Sequence, residues 1–269
     1  DIVEKSEENY FRLTSTAPDF DSVFQFCLPD VCINASGSAD VSFSIEHPEK
    51  DFELNVKNVG RILEAIKNRI PTCRFINISS AAVYGNPKSL PIKESDPTNP
   101  LSPYGINKLK SEKLLNEYFQ KYGLRTCSLR IFSAYGPGLK KQLFWDIYQK
   151  ALKEKEIKLF GTGKESRDFI YISDIVAAFE CVIKNASFTG DSINVSTGKE
   201  ITIEVATRLL MNAFNSNKKL VFTGEEKKGD PKNWHADITL LSQMGFRPFV
   251  NFEKGIGNLA QWFKEENSV

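Results

Sequence analysis

R-F-I-N-I-S-S-A-A-V-Y-G, residues 74–85, is an apolar run that ends in two serines and a short turn. Its first six residues predict a buried strand, as do V-C-I-N-A-S (31–36) before it and T-C-S-L-R-I-F (126–132) after it. Segments 52–70 and 103–123 separate these runs and place apolar residues at three- and four-residue steps, which predicts crossover helices. This alternation indicates an α/β fold with a doubly wound parallel sheet.

The second half of the chain has a different pattern, because strands become shorter and loops longer after Gly136-Pro137-Gly138. Helical periodicity recurs there in four places, 142–155, 173–185, 202–213 and 253–266. We therefore predict a main sheet domain over residues 1–138 and a smaller α/β lobe over 139–269. Segments near 173–198 are expected to return to the main sheet.

Composition and charge argue against several classes of protein. Hydrophobic residues make up 41% and charged residues 26% of the 269-residue chain, and the formal net charge is +1. A nucleic-acid-binding protein would normally be strongly basic, and no apolar run approaches the length of a membrane span. The five cysteines form no C-x-x-C pair, and His47 and His235 lack the spacing of a metal site. We expect reduced thiols, no metal and a cytoplasmic location.

The chain lacks a glycine-rich turn near its start, since its first glycine is Gly37. A dinucleotide-binding fold normally opens with a strand, a glycine-rich turn and a helix whose N-terminus receives the pyrophosphate. Gly136-x-Gly138 and Gly161-x-Gly163 do not replace this turn, because neither follows a buried strand and opens a helix. We expect that the N-terminal strand–helix unit is missing. Truncation is favoured over the alternative, an intact protein that has lost cofactor binding.

S-P-Y-G-I-N-K, residues 102–108, predicts the start of a helix that carries a tyrosine and a lysine on one face. Ser102 is a good N-cap and Pro103 a good first helical residue, and Lys108 stands four residues after Tyr104. The free phenol pKa of about 10 is too high for a base at neutral pH. A nearby ammonium and the helix N-terminus are expected to lower it. The alternative is a surface tyrosine and lysine on an amphipathic helix.

Ser80 stands at the end of the strand that precedes this helix. Open α/β sheets bind ligands at the carboxyl ends of their parallel strands. A hydroxyl at this place could donate a hydrogen bond to the oxygen that Tyr104 deprotonates. The alternative is a serine that only caps the following turn.

Taken together, I-S-S-A-A-V-Y-G and S-P-Y-G-x-N-K are similar to motifs of the extended short-chain dehydrogenase/reductases, the NAD-dependent epimerase/dehydratase family of nucleotide-sugar enzymes. The resemblance covers about residue 10 to the C-terminus. Further matches occur in the family's order: N-A-S-G-S-A (34–39), D-F-E-L-N-V-x-N-V (51–59), L-R-I-F-S-A-Y-G-P-G (129–138), G-T-G-K-E-S-R-D-F-I-Y-I-S-D (161–174), I-N-V-S-T-G (193–198) and G-D-P-x-x-W-x-A-D (229–237).

The resemblance implies a Rossmann-like NAD(P)-binding domain and a substrate-binding lobe for a nucleoside-diphosphate sugar. The implied catalytic residues are Ser80, Tyr104 and Lys108. The implied contacts to NAD, with NADP left open, are Ala35, Ser36, Gly37, Asn55, Ser79, Tyr104, Lys108 and Ile131. The implied contacts to the substrate are Ser80, Ser133, Phe160, Arg167 and Lys227. The family also commonly forms homodimers through two helices, which here correspond to 52–70 and 103–122.

The sequence departs from the family pattern at several of these positions. Ser133 stands where many relatives have asparagine, and Ser36 replaces an alanine. Lys227 replaces an arginine, so it supplies a positive charge but cannot form the two parallel hydrogen bonds that a guanidinium makes with a phosphate.

The two residues after Ser80 bear on the reaction, because family members that eliminate water carry an acid and a base there. Here both are alanine, Ala81 and Ala82. The sequence therefore favours 4-epimerisation of an NDP-hexose, with UDP-sugars as the expected class and tightly bound NAD. The alternatives are an NADPH-dependent 4-keto-sugar reductase and a non-catalytic binding subunit.

Overall fold

A computed structural model of the protein describes residues 7, 10–14, 17–225 and 229–266. The chain divides into two compact units. The first consists of Asp1–Asn86, Glu94–Arg130 and Asn185–Ile193, and the second of Pro87–Lys93, Ile131–Lys184 and Asn194–Val269. The boundary predicted after residue 138 stays a prediction.

Strands and helices alternate in the first unit, as the sequence predicted. Its elements in chain order are α1 (Phe20–Phe26), β1 (Val31–Asn34), α2 (Val41–Glu46), α3 (Pro48–Phe52), a π-helical segment (Glu53–Lys57), α4 (Asn58–Arg69), β2 (Arg74–Ser80), a 3₁₀ turn (Ala81–Val83), α5 (Pro103–Tyr122) and β3 (Thr126–Ile131). β1 pairs with β2 in parallel, with Val31 opposite Arg74. The sheet has four strands in the order β1, β2, β3 and Thr189–Val195. The predicted α/β class is confirmed.

Two element boundaries differ from the prediction, each for a local reason. The strand predicted over 31–36 ends at Asn34, whose Oδ1 accepts hydrogen bonds from the backbone N–H of Ser36 at 3.1 Å and from its hydroxyl. The helix predicted over 52–70 is instead α3, the π-helical segment and α4, and it begins at Pro48. A π turn changes which side chains share a helix face, so the residues before Asn58 do not continue the stripe of α4.

The core of the first unit forms around the apolar stripe of α4. Val59, Ile62, Leu63 and Ile66 are buried, and they belong to one cluster with side chains of α1, β2 and α5, such as Leu115. Burying a side chain of this size contributes about 1.5–3 kcal/mol. This cluster holds β2 and α5 together, and these two elements carry the predicted catalytic residues.

The second unit combines two small sheets with helices around an aromatic core. From residue 133 the elements of the chain are β4 (Ser133–Tyr135), α6 (Gln142–Lys153), β5 (Glu156–Leu159), β6 (Ser166–Tyr171), α7 (Ile172–Asn185), β7 (Thr189–Val195), β8 (Glu200–Thr202), α8 (Ile203–Ala213), β9 (Lys219–Phe222), α9 (Thr239–Gln243) and α10 (Phe252–Glu266). Of these, β7 is the fourth strand of the sheet described for the first unit. One sheet has the order β4, β6, β8, and β5 pairs with β9. In the core, the Tyr148 and Phe263 rings stack with centroids 4.3 Å apart. All four helices predicted for this region are confirmed within two residues.

All five cysteines are free thiols, which agrees with the prediction. Burial raises the pKa of Cys32 to about 12 and that of Cys73 to about 11, so both stay protonated at neutral pH. Among the helices in the described ranges, none has the length and apolarity that crossing a membrane requires.

Candidate active site

The N-terminus of α5 has the geometry that its sequence predicted. Ser102 is the N-cap, and its hydroxyl accepts a hydrogen bond from the backbone N–H of Gly105 at 3.2 Å. Pro103 is the first helical residue, so Tyr104 lies in the first turn and Lys108 one turn later. The side chains of Tyr104 and Lys108 are on the same face, with Lys108 Nζ 5.7 Å from the centre of the Tyr104 ring.

Gly105 allows α5 to approach the turn that follows β2. A Cβ atom at this position would lie 2.7 Å from the carbonyl oxygen of Ala82 and 2.9 Å from Cβ of Pro100. Real Cβ atoms do not come this close to backbone, so only glycine permits the contact. The close approach brings the start of α5 against the residues directly after Ser80.

We expect Gly105→Ala to lower the free energy of unfolding by about 1–3 kcal/mol, because the added methyl group must push α5 away from Ala82. The matched control is Gly257→Ala in α10, where a Cβ meets nothing within 4 Å. There, alanine should be neutral or stabilise by up to about 1 kcal/mol. Urea unfolding of both variants tests this prediction, which is wrong if the two substitutions have equal effects.

Ser80 is the last residue of β2, and its hydroxyl makes two contacts within the protein. Its hydroxyl accepts a hydrogen bond from the backbone N–H of Ala82 at 3.2 Å and so caps the 3₁₀ turn. It also forms a side-chain hydrogen bond with Tyr104, which lowers the pKa of that phenol. The capping bond therefore orients the hydroxyl that contacts Tyr104.

The pKa of Tyr104 is shifted in the direction opposite to our expectation. Burial raises it, the hydrogen bond with Ser80 lowers it by less, and the charge of Asp51 raises it further. The sequence shows the cation at the i+4 position but not the degree of burial, and Tyr104 is only 8% exposed. The protein alone thus holds Tyr104 as a neutral phenol at neutral pH.

Lys108 is buried on the inner side of α5. Its ammonium donates a hydrogen bond to the carbonyl oxygen of Ile78 in β2 at 2.8 Å. Burial lowers the pKa of Lys108 to about 8, while the negative charges of Asp51 and Glu112 act in the opposite direction. Lys108 is therefore a cation at neutral pH and loses its proton under mildly alkaline conditions.

The loop after β1 and the π-helical segment form the predicted cofactor region of this unit. Asn55 Nδ2 donates to the carbonyl oxygen of Ser38 at 3.1 Å and so holds this loop against the helix. Its Oδ1 is buried, has no hydrogen-bond partner among the described residues, and points at Gly37. Gly37 has φ +104°, and a Cβ there would lie 2.5 Å from this oxygen. An unpaired buried acceptor is unusual and marks this loop, which also contains Ala35 and Ser36, as a candidate ligand-binding element.

Ser79 belongs to a buried polar network behind β2. Its hydroxyl donates to Glu112, which forms a bidentate ion pair with Arg130 at 2.8 Å and 3.0 Å. Arg130 also donates to the hydroxyl of Tyr84 at 2.7 Å. The side chain of Ser79 is therefore occupied within the protein, and its predicted contact with a cofactor stays a prediction.

Sequence analysis did not identify Glu112, Arg130 or Tyr84. One signal was available, because Glu112 follows Lys108 by four residues and so lies on the same face of α5. The pairing of Glu112 with an arginine in β3 depends on the fold and had no signal in the sequence.

Five of the predicted ligand-contacting residues have positions within the residue ranges of the second unit. Ile131 is buried at the end of β3, and Ser133 begins β4. Phe160 follows β5 and is 55% exposed, which is unusual for a large aromatic side chain. Lys227 lies outside the described residues.

Arg167 in β6 is held by backbone and aromatic contacts. Its Nη1 donates to the carbonyl oxygens of Ser166 at 2.8 Å and Lys232 at 3.1 Å, and its guanidinium lies 5.5 Å from the centre of the Trp234 ring. Within the described residues it forms no ion pair with its sequence neighbours Asp168 and Glu165. Burial lowers the pKa of Arg167, and the charges of Asp230 and Glu165 oppose this shift.

The family model described as "NAD dependent epimerase/dehydratase family" matches residues 4–196 of the chain. The chain belongs to this family. Its members are NAD(P)-dependent enzymes that act on nucleotide sugars, so the predicted class of enzyme and of cofactor is confirmed. This membership agrees with the grouping of Ser80, Tyr104 and Lys108 in the first unit.

Individual family members show similarity over most of the chain. A putative UDP-glucose 4-epimerase of Methanocaldococcus jannaschii is 27% identical over 253 residues, which cover 93% of this chain and 82% of the relative. The UDP-glucose 4-epimerase structure of Thermotoga maritima with UDP-glucose has a TM-score of 0.85 at 26% identity and covers 92% of this chain and 81% of its own. The UDP-glucuronic acid 4-epimerase structure of Bacillus cereus, with UDP-glucuronic acid and NAD, also has a TM-score of 0.85 and is 27% identical. The match covers 92% of this chain and 79% of the Bacillus cereus chain.

Proposed function

We propose that this family member is a UDP-sugar 4-epimerase that uses tightly bound NAD. The observation that carries the proposal is the contact of Ser80 with Tyr104, with the buried Lys108 ammonium one helical turn away. This arrangement can move one proton to and from an alcohol. The 4-epimerases named above support the choice of reaction and of nucleotide.

The residues of the first unit would hold the cofactor. The Ala35–Gly37 loop, held by Asn55, would offer small side chains and the backbone of Gly37, and Lys108 would offer an ammonium. When bound, NAD would supply a hydride acceptor and the positive charge of its nicotinamide ring. Tyr104, which the protein alone keeps protonated, needs an additional positive charge nearby before it can act as a base.

The proposed proton transfer takes place at the Tyr104 phenol. As the phenolate, Tyr104 accepts the proton of the C4 hydroxyl while the C4–H bond gives up its hydride. Ser80 donates a hydrogen bond to the same C4 oxygen and stabilises the carbonyl that forms. On the return step Tyr104 would give the proton back to the C4 oxygen, and the epimer would form if the 4-keto sugar had turned so that the opposite face of C4 receives the hydride that was given up. No atom or electron is gained or lost over the cycle.

The turn after Ser80 favours epimerisation over elimination of water. Ala81 and Ala82 occupy its first two positions, and methyl side chains can neither donate nor accept a proton. Arg167 is proposed to bind the diphosphate, whose oxygens suit a guanidinium, and Phe160 to contact the base. The roles of Ser133 and Lys227, the homodimer through 52–70 and 103–122, and the cytoplasmic location stay predictions.

The test is an incubation of purified protein with UDP-glucose or UDP-glucuronic acid, followed by separation of the C4 epimers. We expect an equilibrium mixture of both epimers, no net change in nicotinamide absorbance at steady state, and NAD released from the protein on denaturation. Stoichiometric oxidation of NADPH with a 4-keto sugar would identify a reductase instead. A failure to bind any UDP-sugar by calorimetry would favour the non-catalytic alternative.

A further inference from the structure

Asp51 is a buried carboxylate beside the catalytic helix that the proposed mechanism does not use. It lies in α3 and is 0% exposed. Its hydrogen bonds come from two amides: Asn55 Nδ2 donates to Oδ1 at 2.9 Å, and Asn107 Nδ2 donates to Oδ2 at 2.8 Å. Within the described residues, Asp51 forms no ion pair with lysine or arginine. A charge buried in this way is costly unless an opposite charge compensates it.

The two amides belong to two different elements of the first unit, since Asn55 lies in the π-helical segment and Asn107 in α5. Asn55 also donates to the carbonyl oxygen of Ser38 and so holds the loop that contains Gly37. Asn107 directly precedes Lys108 in α5. Each carboxylate oxygen of Asp51 accepts a hydrogen bond from one of these amides. Asp51 therefore connects the loop that contains Gly37 to α5. An asparagine at this position could accept from one amide but would turn an NH₂ group towards the other.

Two carboxylates act on the ammonium of Lys108. Glu112 approaches it from the next turn of α5, but this carboxylate is already paired with Arg130 at 2.8 Å. Asp51 acts from α3 and has no such partner, and its charge opposes the effect of burial on the pKa of Lys108 more strongly than that of Glu112. The ring of Tyr104 and the carbonyl oxygen of Ile78 also lie next to Lys108. Asp51 is therefore a negative charge that acts on Lys108 and that no lysine or arginine of the described residues pairs with.

We propose that Asp51 is a positioning residue for the reaction at Tyr104: its buried carboxylate holds Asn55 beside the Gly37 loop and Asn107 in α5, and so fixes the turn of α5 that carries Lys108. The kinetic consequence rests on the proposed function, whereas the coupling between Asp51 and Lys108 does not.

The kinetic test is the pH dependence of kcat for Asp51→Asn. Removing the negative charge favours the neutral amine, so the alkaline fall of kcat, which follows the Lys108 pKa of about 8, should move down by about 1 pH unit. The control is Asp174→Asn in the second unit, where a buried carboxylate only accepts from the backbone N–H groups of Phe249 and Val250. That variant should unfold at a lower urea concentration, but its alkaline fall of kcat should stay at the same pH. If the alkaline fall of kcat stays at the same pH in Asp51→Asn, the proposal is overturned.

The second test needs no substrate, so it remains informative if the protein is not an epimerase. Urea midpoints are measured for the chain, Asp51→Asn, Lys108→Met and the double variant. Lys108→Met leaves Asp51 as an uncompensated buried charge, so Asp51→Asn should lower the midpoint less in that background, or raise it. Additive effects would overturn the proposal. If Asp51→Asn alone does not fold, recovery of folding in the double variant supports it, and failure of both to fold contradicts it.

Discussion

Tyr104→Phe is expected to reduce turnover of a UDP-sugar by a factor of about 10²–10⁴, the usual contribution of one positioned acid–base group. The substitution removes the phenol oxygen that contacts Ser80 and leaves the ring, which is buried at the start of α5. Binding of the UDP-sugar should change little, because the proton is transferred only during the reaction. Steady-state kinetics and calorimetry with the same UDP-sugar measure the two effects separately.

The matched control is Tyr118→Phe, which makes the same chemical change on the same helix. The Tyr118 hydroxyl donates to Glu64 at 2.5 Å, and Tyr118 lies fourteen residues after Tyr104 in α5. Its removal should leave kcat within about threefold, since surface substitutions away from a site usually have small effects. If Tyr104→Phe keeps a similar kcat, Tyr104 is not the proton-transfer group. If it loses substrate binding as well, its role is structural.

Local signals in the sequence determined the fold class and the start of the catalytic helix. The strand in 74–80 and the Ser102-Pro103 cap could be predicted because each depends on residues within one turn or one strand. The π-helical segment could not, because it occurs where Asn55 and Asp51 bond to residues far away in sequence, Ser38 and Asn107. Interruption of a predicted helix by tertiary contacts is a known limit of periodicity arguments.

The same distinction applies to the site. The spacing of Tyr104 and Lys108 showed that their side chains share a helix face, and the fold brought Ser80 to them. The spacing could not show that burial dominates the pKa of both groups. Nor could it show that Glu112 is paired with Arg130 while Asp51 is not, which depends on where β3 and α3 pack. Predicting the pKa values of buried groups therefore requires the three-dimensional structure, even where the catalytic residues themselves can be predicted from the sequence.

Arg130→Met is expected to have the largest effect on stability, lowering the free energy of unfolding by about 3–5 kcal/mol. Arg130 and Glu112 are 8% and 5% exposed, and their ion pair is bidentate. Methionine leaves the Glu112 carboxylate buried without its cation and the hydroxyl of Tyr84 without its donor. A loss of this size is a large fraction of the stability of an ordinary domain.

Two further variants show whether the buried charge causes the loss. Arg69→Met removes an arginine from an exposed ion pair with Asp21, and it should change the urea midpoint little because water already screens that pair. In Arg130→Met/Glu112→Leu no carboxylate remains to be buried alone, so most of the lost stability should return. If the double variant is no more stable than Arg130→Met, the network acts by packing rather than charge. Recovery would show that the loss of stability in Arg130→Met comes from leaving the Glu112 carboxylate without its cation and not from the loss of arginine packing.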